Sequence, residues 1–136
     1  MDFRSGRYLT FRVARSEFAM DAEQVRGVLP IRDLHATELP DTPWLAGTAT
    51  FSGQHFPVID LRIKLNLRQG MTGRNPSIVV IGTGAGDLTG FIADCISEIV
   101  HARAHDFRGG KLRIGRPKQI LDVASLLAPA VELLAL

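Results

Sequence analysis

Cysteine is almost missing from this chain, Cys95 being the only one. An internal disulfide is therefore impossible, and no Cys-x-x-Cys pair opens a zinc or redox motif. Aromatic residues are sparse at 7%, which leaves the core to Val, Ile and Leu. No apolar run approaches the roughly 18–20 residues that cross a bilayer, so direct membrane insertion is not expected. Met1-Asp2-Phe3-Arg4-Ser5-Gly6-Arg7 lacks the apolar stretch of a signal peptide. With the lone thiol, this gives a cytoplasmic protein as the expectation. The net charge of +2 is too small by itself to imply a polyanionic partner, so clustering matters more.

Catalytic signatures are missing as well. No Gly-x-Ser-x-Gly elbow is present, and the carboxylates are scattered with no close pair for general acid and base work. Gly82-Thr83-Gly84-Ala85-Gly86-Asp87 follows a β-type run, but a dinucleotide fingerprint needs a third glycine leading into a helix. Here that position is Asp87 and the next segment alternates as a strand, so the glycines read as a hairpin turn. Of the histidines His35, His55, His101 and His105, only the last two have helical ligand spacing, and the run leading to His101 reads as strand. His55 beside a turn reads as a solvated polar residue. Cys95 sits in an apolar stretch and reads as a small buried hydrophobe, not a nucleophile. The expectation is no enzyme, no catalytic residue, no metal, no cofactor and no small-molecule substrate.

What the chain does have is β pattern. Its 136 residues, 46% of them hydrophobic, suit one domain over residues 1–136. Tyr8 to Val13 and Glu17 to Met20 read as paired strands around Ala14-Arg15-Ser16. Asp21 is a helix-capping residue, and Ala22, Val25 and Leu29 then share the face of a short helix that Gly27 and Pro30 limit. Residues 31–43 read as a strand fragment and loop. Residues 68–76 are the clearest loop. Ser77-Ile78-Val79-Val80-Ile81 is a β-branched run suited to a strand buried on both faces. Leu88 to Ala93, Ile96 to Val100 and Gln119 to Val123 continue the β pattern, and a Leu-rich helix ends the chain. About seven to ten short strands with frequent turns favour a mainly β sandwich or barrel.

The basic cluster is Arg108 to Lys118, with five positive charges and no acid. It suits a solvated loop, or a surface that steers an acidic protein partner. The second reading is a small basic barrel that binds nucleic acid through residues 108–118, although no aromatic residue there offers a base a stacking partner.

The most informative stretch runs from Gly47 to Leu67. Gly47-Thr48-Ala49-Thr50-Phe51-Ser52-Gly53 reads as strand and tight turn, and Pro57-Val58-Ile59-Asp60-Leu61-Arg62 as the returning strand. After Asp60 the pattern fits either a strand continuing through Leu61, Ile63, Leu65 and Leu67 or a short helical turn capped by Asp60. Together these residues resemble the core signature of CheW-like domains, the adaptor modules of bacterial chemosensory arrays. Tyr8 to Asp21 resembles the opening hairpin of that family. Gly90-Phe91-Ile92-Ala93-Asp94 and Ser97-Glu98-Ile99 resemble its later strands, and Leu121 to Leu127 its end. Ser52 stands where the family's turn usually has Arg, and Gly27 where Glu is common.

The resemblance implies two intertwined, five-stranded SH3-like β-barrels with short helices and a shared hydrophobic core. It implies a non-catalytic adaptor in chemotaxis-like signal transduction. The implied partners are the regulatory domain of a CheA-type histidine kinase and the cytoplasmic tip of a chemoreceptor. The expected partner surface is the short helix around Val25, Gly27 and Val28 with the turn Phe51-Ser52-Gly53, and Arg62 is expected to brace the segment after the hairpin.

Overall fold

A computed structural model of the chain describes residues 5–37, 41–67, 75–82 and 86–122. Most of the expected loop 68–76, the Gly-rich turn at 83–85 and the helix expected after 122 lie outside the described residues.

The chain opens with a hairpin of β1 (Gly6–Val13) and β2 (Ser16–Asp21). A single 3-10 turn, Ala22–Gln24, follows, with the Asp21 carboxylate accepting from the Glu23 N–H at 3.0 Å. Next come β3 (Val25–Pro30), a second 3-10 turn (Ile31–Asp33) and the two-residue β4 (His35–Ala36). The central hairpin is β5 (Leu45–Phe51) and β6 (Gln54–Ile59), followed by the one-turn helix α1 (Leu61–Lys64). The remaining strands are β7 (Ser77–Gly82), β8 (Leu88–Ala93), β9 (Cys95–Ala102), β10 (Phe107–Arg108), β11 (Lys111–Leu112) and β12 (Lys118–Ile120).

The helix expected around Val25, Gly27 and Val28 is instead β3. The cap at Asp21 forms, but it serves one turn only. From Val25 the burial alternates, with Val25, Gly27 and Leu29 partly covered and Arg26, Val28 and Pro30 exposed. That period of two belongs to a strand, and β3 pairs antiparallel with β7 across a bulge between Val25 and Gly27. The ambiguity after Asp60 resolves to helix. Asp60 accepts from the Arg62 N–H at 3.0 Å and caps α1.

The strands form two six-stranded sheets. The first has the order β10-β11-β12-β2-β1-β9 and the second β3-β7-β8-β6-β5-β4. The fold is mainly β, as expected. Each sheet holds one strand more than expected, and β4, β10 and β11 are only two residues long. The first sheet takes its strands from both ends of the described chain, and the whole second sheet is threaded between β2 and β9. The sheets are intertwined in that sense.

One core cluster joins them. Leu9, Phe11, Val13, Phe18 and Met20 of the first sheet pack with Ile59, Leu61, Val79, Ile81, Phe91 and Ala93 of the second. The rings of Phe11 and Phe91 meet across the boundary, 5.1 Å between centroids. On β7, Val79 and Ile81 face this shared core, while Ile78 and Val80 face a second cluster with Ala49, Phe56 and Val58. The β-branched run is therefore buried on both faces, as its composition predicts. Where β1 and β9 slip register between Thr10 and Phe11, the Thr10 hydroxyl fills the ladder. It donates to the Glu98 carbonyl at 2.9 Å and accepts from the Glu98 N–H at 3.2 Å.

Candidate partner-binding surface and a separate ion pair

The β5–β6 turn is the tightest a hairpin allows. Phe51 pairs with Gln54, and only Ser52 and Gly53 lie between. Both have positive φ, 50° and 77°, the pattern of the type I′ turns that match strand twist. Glycine adopts that conformation freely; serine does so at a cost. Ser52 and Gly53 are exposed, and beside them the Thr50 hydroxyl meets His55 Nδ1 across the strands at 2.7 Å.

Gly47, which opens this stretch, is required by close approach. A Cβ there would run into the backbone carbonyl oxygen of His35 on β4, which pairs with β5 through His35 and Thr48.

Phe51 ties the turn to β3. A Cβ built on Gly27 would lie 2.7 Å from both Cε1 and Cζ of the Phe51 ring, so the ring rests on the bare backbone of Gly27. In the sheet order β3 is at one edge and β5 is next to the other. The contact therefore shows a sheet curled until its far strands meet. Val28, the next residue, points to the opposite face of β3 and is 47% exposed. The two segments expected to carry the partner surface, Val25 to Val28 and Phe51 to Gly53, are brought together by Phe51 on Gly27. The same contact gives a steric reason for Gly27: a glutamate there would displace the ring.

The Arg62 guanidinium is engaged elsewhere. Its Nη2 donates to Asp94 Oδ2 at 2.6 Å, with the Asp94 side chain 3% exposed. Asp94 links β8 to β9 and so lies where the chain passes from the second sheet to the first. The same Oδ2 accepts from the Ala14 N–H at 2.6 Å, and the Asp94 N–H donates to the Arg12 carbonyl at 2.9 Å. Ala14 has φ of 55°, a left-handed conformation that costs a non-glycine residue about 1–2 kcal/mol. Asp94 thus holds the β1–β2 turn and Arg62 holds Asp94. The Arg62 guanidinium thus reaches Asp94 between β8 and β9, and through it the β1–β2 turn. A carboxylate ending the apolar run of β8 is a signal that a buried charge needs a partner, but nothing local names Arg62.

Lys64 Nζ lies 4.6 Å above the Trp44 ring centre. Among the described residues it has no hydrogen-bond partner. Its pKa is held below the usual lysine value of 10.5 by burial.

In the basic segment, Lys118 is buried and donates to the carbonyls of Ile114 at 2.6 Å and Arg116 at 2.8 Å. Arg113 Nε donates to the Arg108 carbonyl at 3.2 Å. Two of the five cations therefore brace their own loop, which weakens the nucleic-acid reading of residues 108–118. His101 lies on β9 and His105 in the 3-10 turn Ala104–Asp106, so their spacing is not helical. Cys95 is half-buried, not buried, because it starts β9 at the edge of the first sheet.

Two interleaved sheets around a shared core define a mainly β module of the SH3-like kind. Comparison with known proteins gives its family. The CheW-like domain profile matches residues 7–130, and the chain belongs to the family of CheW-like domains. A search of curated proteins finds no match. Among solved structures, the chain is similar to the crystal structure of the scaffolding protein TtCheW from Thermoanaerobacter tengcongensis. The TM-score is 0.66 at 20% identity, covering 84% of this chain and 76% of that one. At that identity the likeness concerns the fold.

Among the described residues no helix is long and apolar enough to cross a membrane.

Proposed function

We propose that the chain is a non-enzymatic cytoplasmic adaptor of a chemotaxis-like pathway. It links the regulatory domain of a CheA-type histidine kinase to the cytoplasmic tip of a chemoreceptor through protein–protein contacts. The docking surface is formed by Val25, Gly27 and Val28 of β3 with Phe51, Ser52 and Gly53 of the hairpin turn. Arg62 acts away from that surface as a positioning residue, holding Asp94.

The observation that carries this reading is the seating of Phe51 on Gly27, which joins the hairpin turn to β3, while Val28 on the opposite face of that edge strand is 47% exposed. An exposed aliphatic on an edge strand whose other face is packed by an aromatic can serve as an interface anchor. Family membership supports protein partners, and the similar TtCheW is itself described as a scaffolding protein.

Calorimetric titration of the chain against a kinase regulatory domain and a receptor-tip fragment from the same organism tests the proposal. Saturable binding to both is expected, weakened at least tenfold by Val28→Glu. A folded chain that binds neither refutes it.

A further inference from the structure

A second site is built on the other sheet. The β1–β2 turn and the loop before β12 border an open cavity of about 400 Å³ lined by Arg12, Ala14, Arg15, Glu17 and Arg116. Three arginines therefore converge, Arg12 and Arg15 from one end of the described chain and Arg116 from the other. They meet because β12 adds in parallel to β2, with Gln119 opposite Phe18. Among the described residues none of the three guanidinium groups has an ion pair or a hydrogen bond. Glu17 faces Arg12 across the hairpin without pairing with it. Like-charged groups are usually spread out or neutralised; here they are gathered and left unspent.

Their supports, by contrast, are fully spent. The Asp94 carboxylate fixes the Ala14 N–H next to Arg15. The buried Lys118 ammonium fixes the Arg116 carbonyl itself. Each of the two loops that present an arginine is thus locked by an internal charged hydrogen bond, which lowers the entropy cost of binding.

We infer that this cavity binds an acidic segment of a protein partner, whose carboxylates take the forks of Arg12, Arg15 and Arg116. Guanidinium groups match carboxylates in bidentate geometry, and Glu17 offers an acceptor to a peptide N–H. Among the described residues the cavity wall has no aromatic side chain, so these offer no platform for nucleobases. The inference does not depend on the docking surface proposed above, which lies on the second sheet.

The test uses the full chain and fluorescently labelled hexa-glutamate, read by anisotropy at low ionic strength. Binding is expected, with affinity falling steeply as salt rises. Arg15→Glu with Arg116→Glu should weaken it at least tenfold. Arg32→Glu with Lys111→Glu makes the same charge change at exposed positions outside the cavity and should change it less than twofold. If the double glutamate variant fails to fold, Arg15→Gln with Arg116→Gln is expected to give the same ranking. No binding, or equal losses in the cavity and control variants, overturns the inference. Tighter, arginine-dependent binding of pyrophosphate or an oligonucleotide also overturns it and assigns the cavity to phosphates.

Discussion

Arg62 and Asp94 meet at 2.6 Å, and their contact joins α1 of the second sheet's chain path to the point where the chain re-enters the first. Asp94 in turn holds Ala14 in its left-handed conformation. Removing one partner of a buried pair leaves the other charge uncompensated, typically at 3–5 kcal/mol. Arg62→Ala should cost about 3 kcal/mol, the low end, because Arg62 still reaches solvent. Asp94→Ala should cost more, since it also strips the acceptor from Ala14, and Asp94→Asn should fall below it by keeping that acceptor. Urea unfolding followed by circular dichroism gives the ranking.

Phe51 and Gly27 are coupled by contact. A side chain at Gly27 overpacks against the ring, which typically costs about 1–3 kcal/mol. Gly27→Glu and Phe51→Ala should each destabilise the chain. The double variant should lose less than the sum by about 1 kcal/mol, because the clash disappears with the ring. A double-mutant cycle in urea measures the coupling.

Ser52 pays for a turn that suits glycine. Ser52→Gly should stabilise the fold by about 0.5–1 kcal/mol, since it removes the left-handed penalty. Ser52→Asn should gain somewhat less. Thermal unfolding should show a rise in Tm of a few degrees.

Lys64 makes stability depend on pH in the alkaline range. Its folded pKa lies below the unfolded 10.5, because burial disfavours the charged form. Between those two values the unfolded chain binds the extra proton, so stability rises with pH there. Below the folded pKa the burial penalty is fully present; above 10.5 it is gone. Lys64→Met should raise stability at neutral pH and flatten the alkaline rise. Unfolding midpoints measured between pH 7 and 11 check this.

Much of the fold was legible because its strands are locally patterned. The β-branched run at Ile78 to Ile81 and the Ser52-Gly53 turn announce themselves by composition and punctuation. β3 departs from the helical pattern of its sequence for a physical reason. Asp21 is a true cap, but its helix lasts one turn, and Ala22, Val25 and Leu29 happen to fit a helical face. The alternation of Val25, Gly27 and Leu29 was the competing signal, blurred by the bulge after Val25. The site segments were named from the resemblance. What joins them, Phe51 lying on Gly27, links residues far apart in sequence. The Arg62–Asp94 pair and the arginine cavity are likewise products of tertiary topology, which no local spacing encodes.

The most direct measurement of the central proposal is an NMR titration of the isotopically labelled chain with the kinase regulatory domain and, separately, the receptor-tip fragment. The account predicts that, for at least one of them, the amide shifts of Val25 to Val28 and of Phe51 to Gly53 move together at saturation. Those of Arg62 and Asp94 should respond only weakly. Saturable binding that leaves both segments unperturbed, or perturbs a different face, would contradict it.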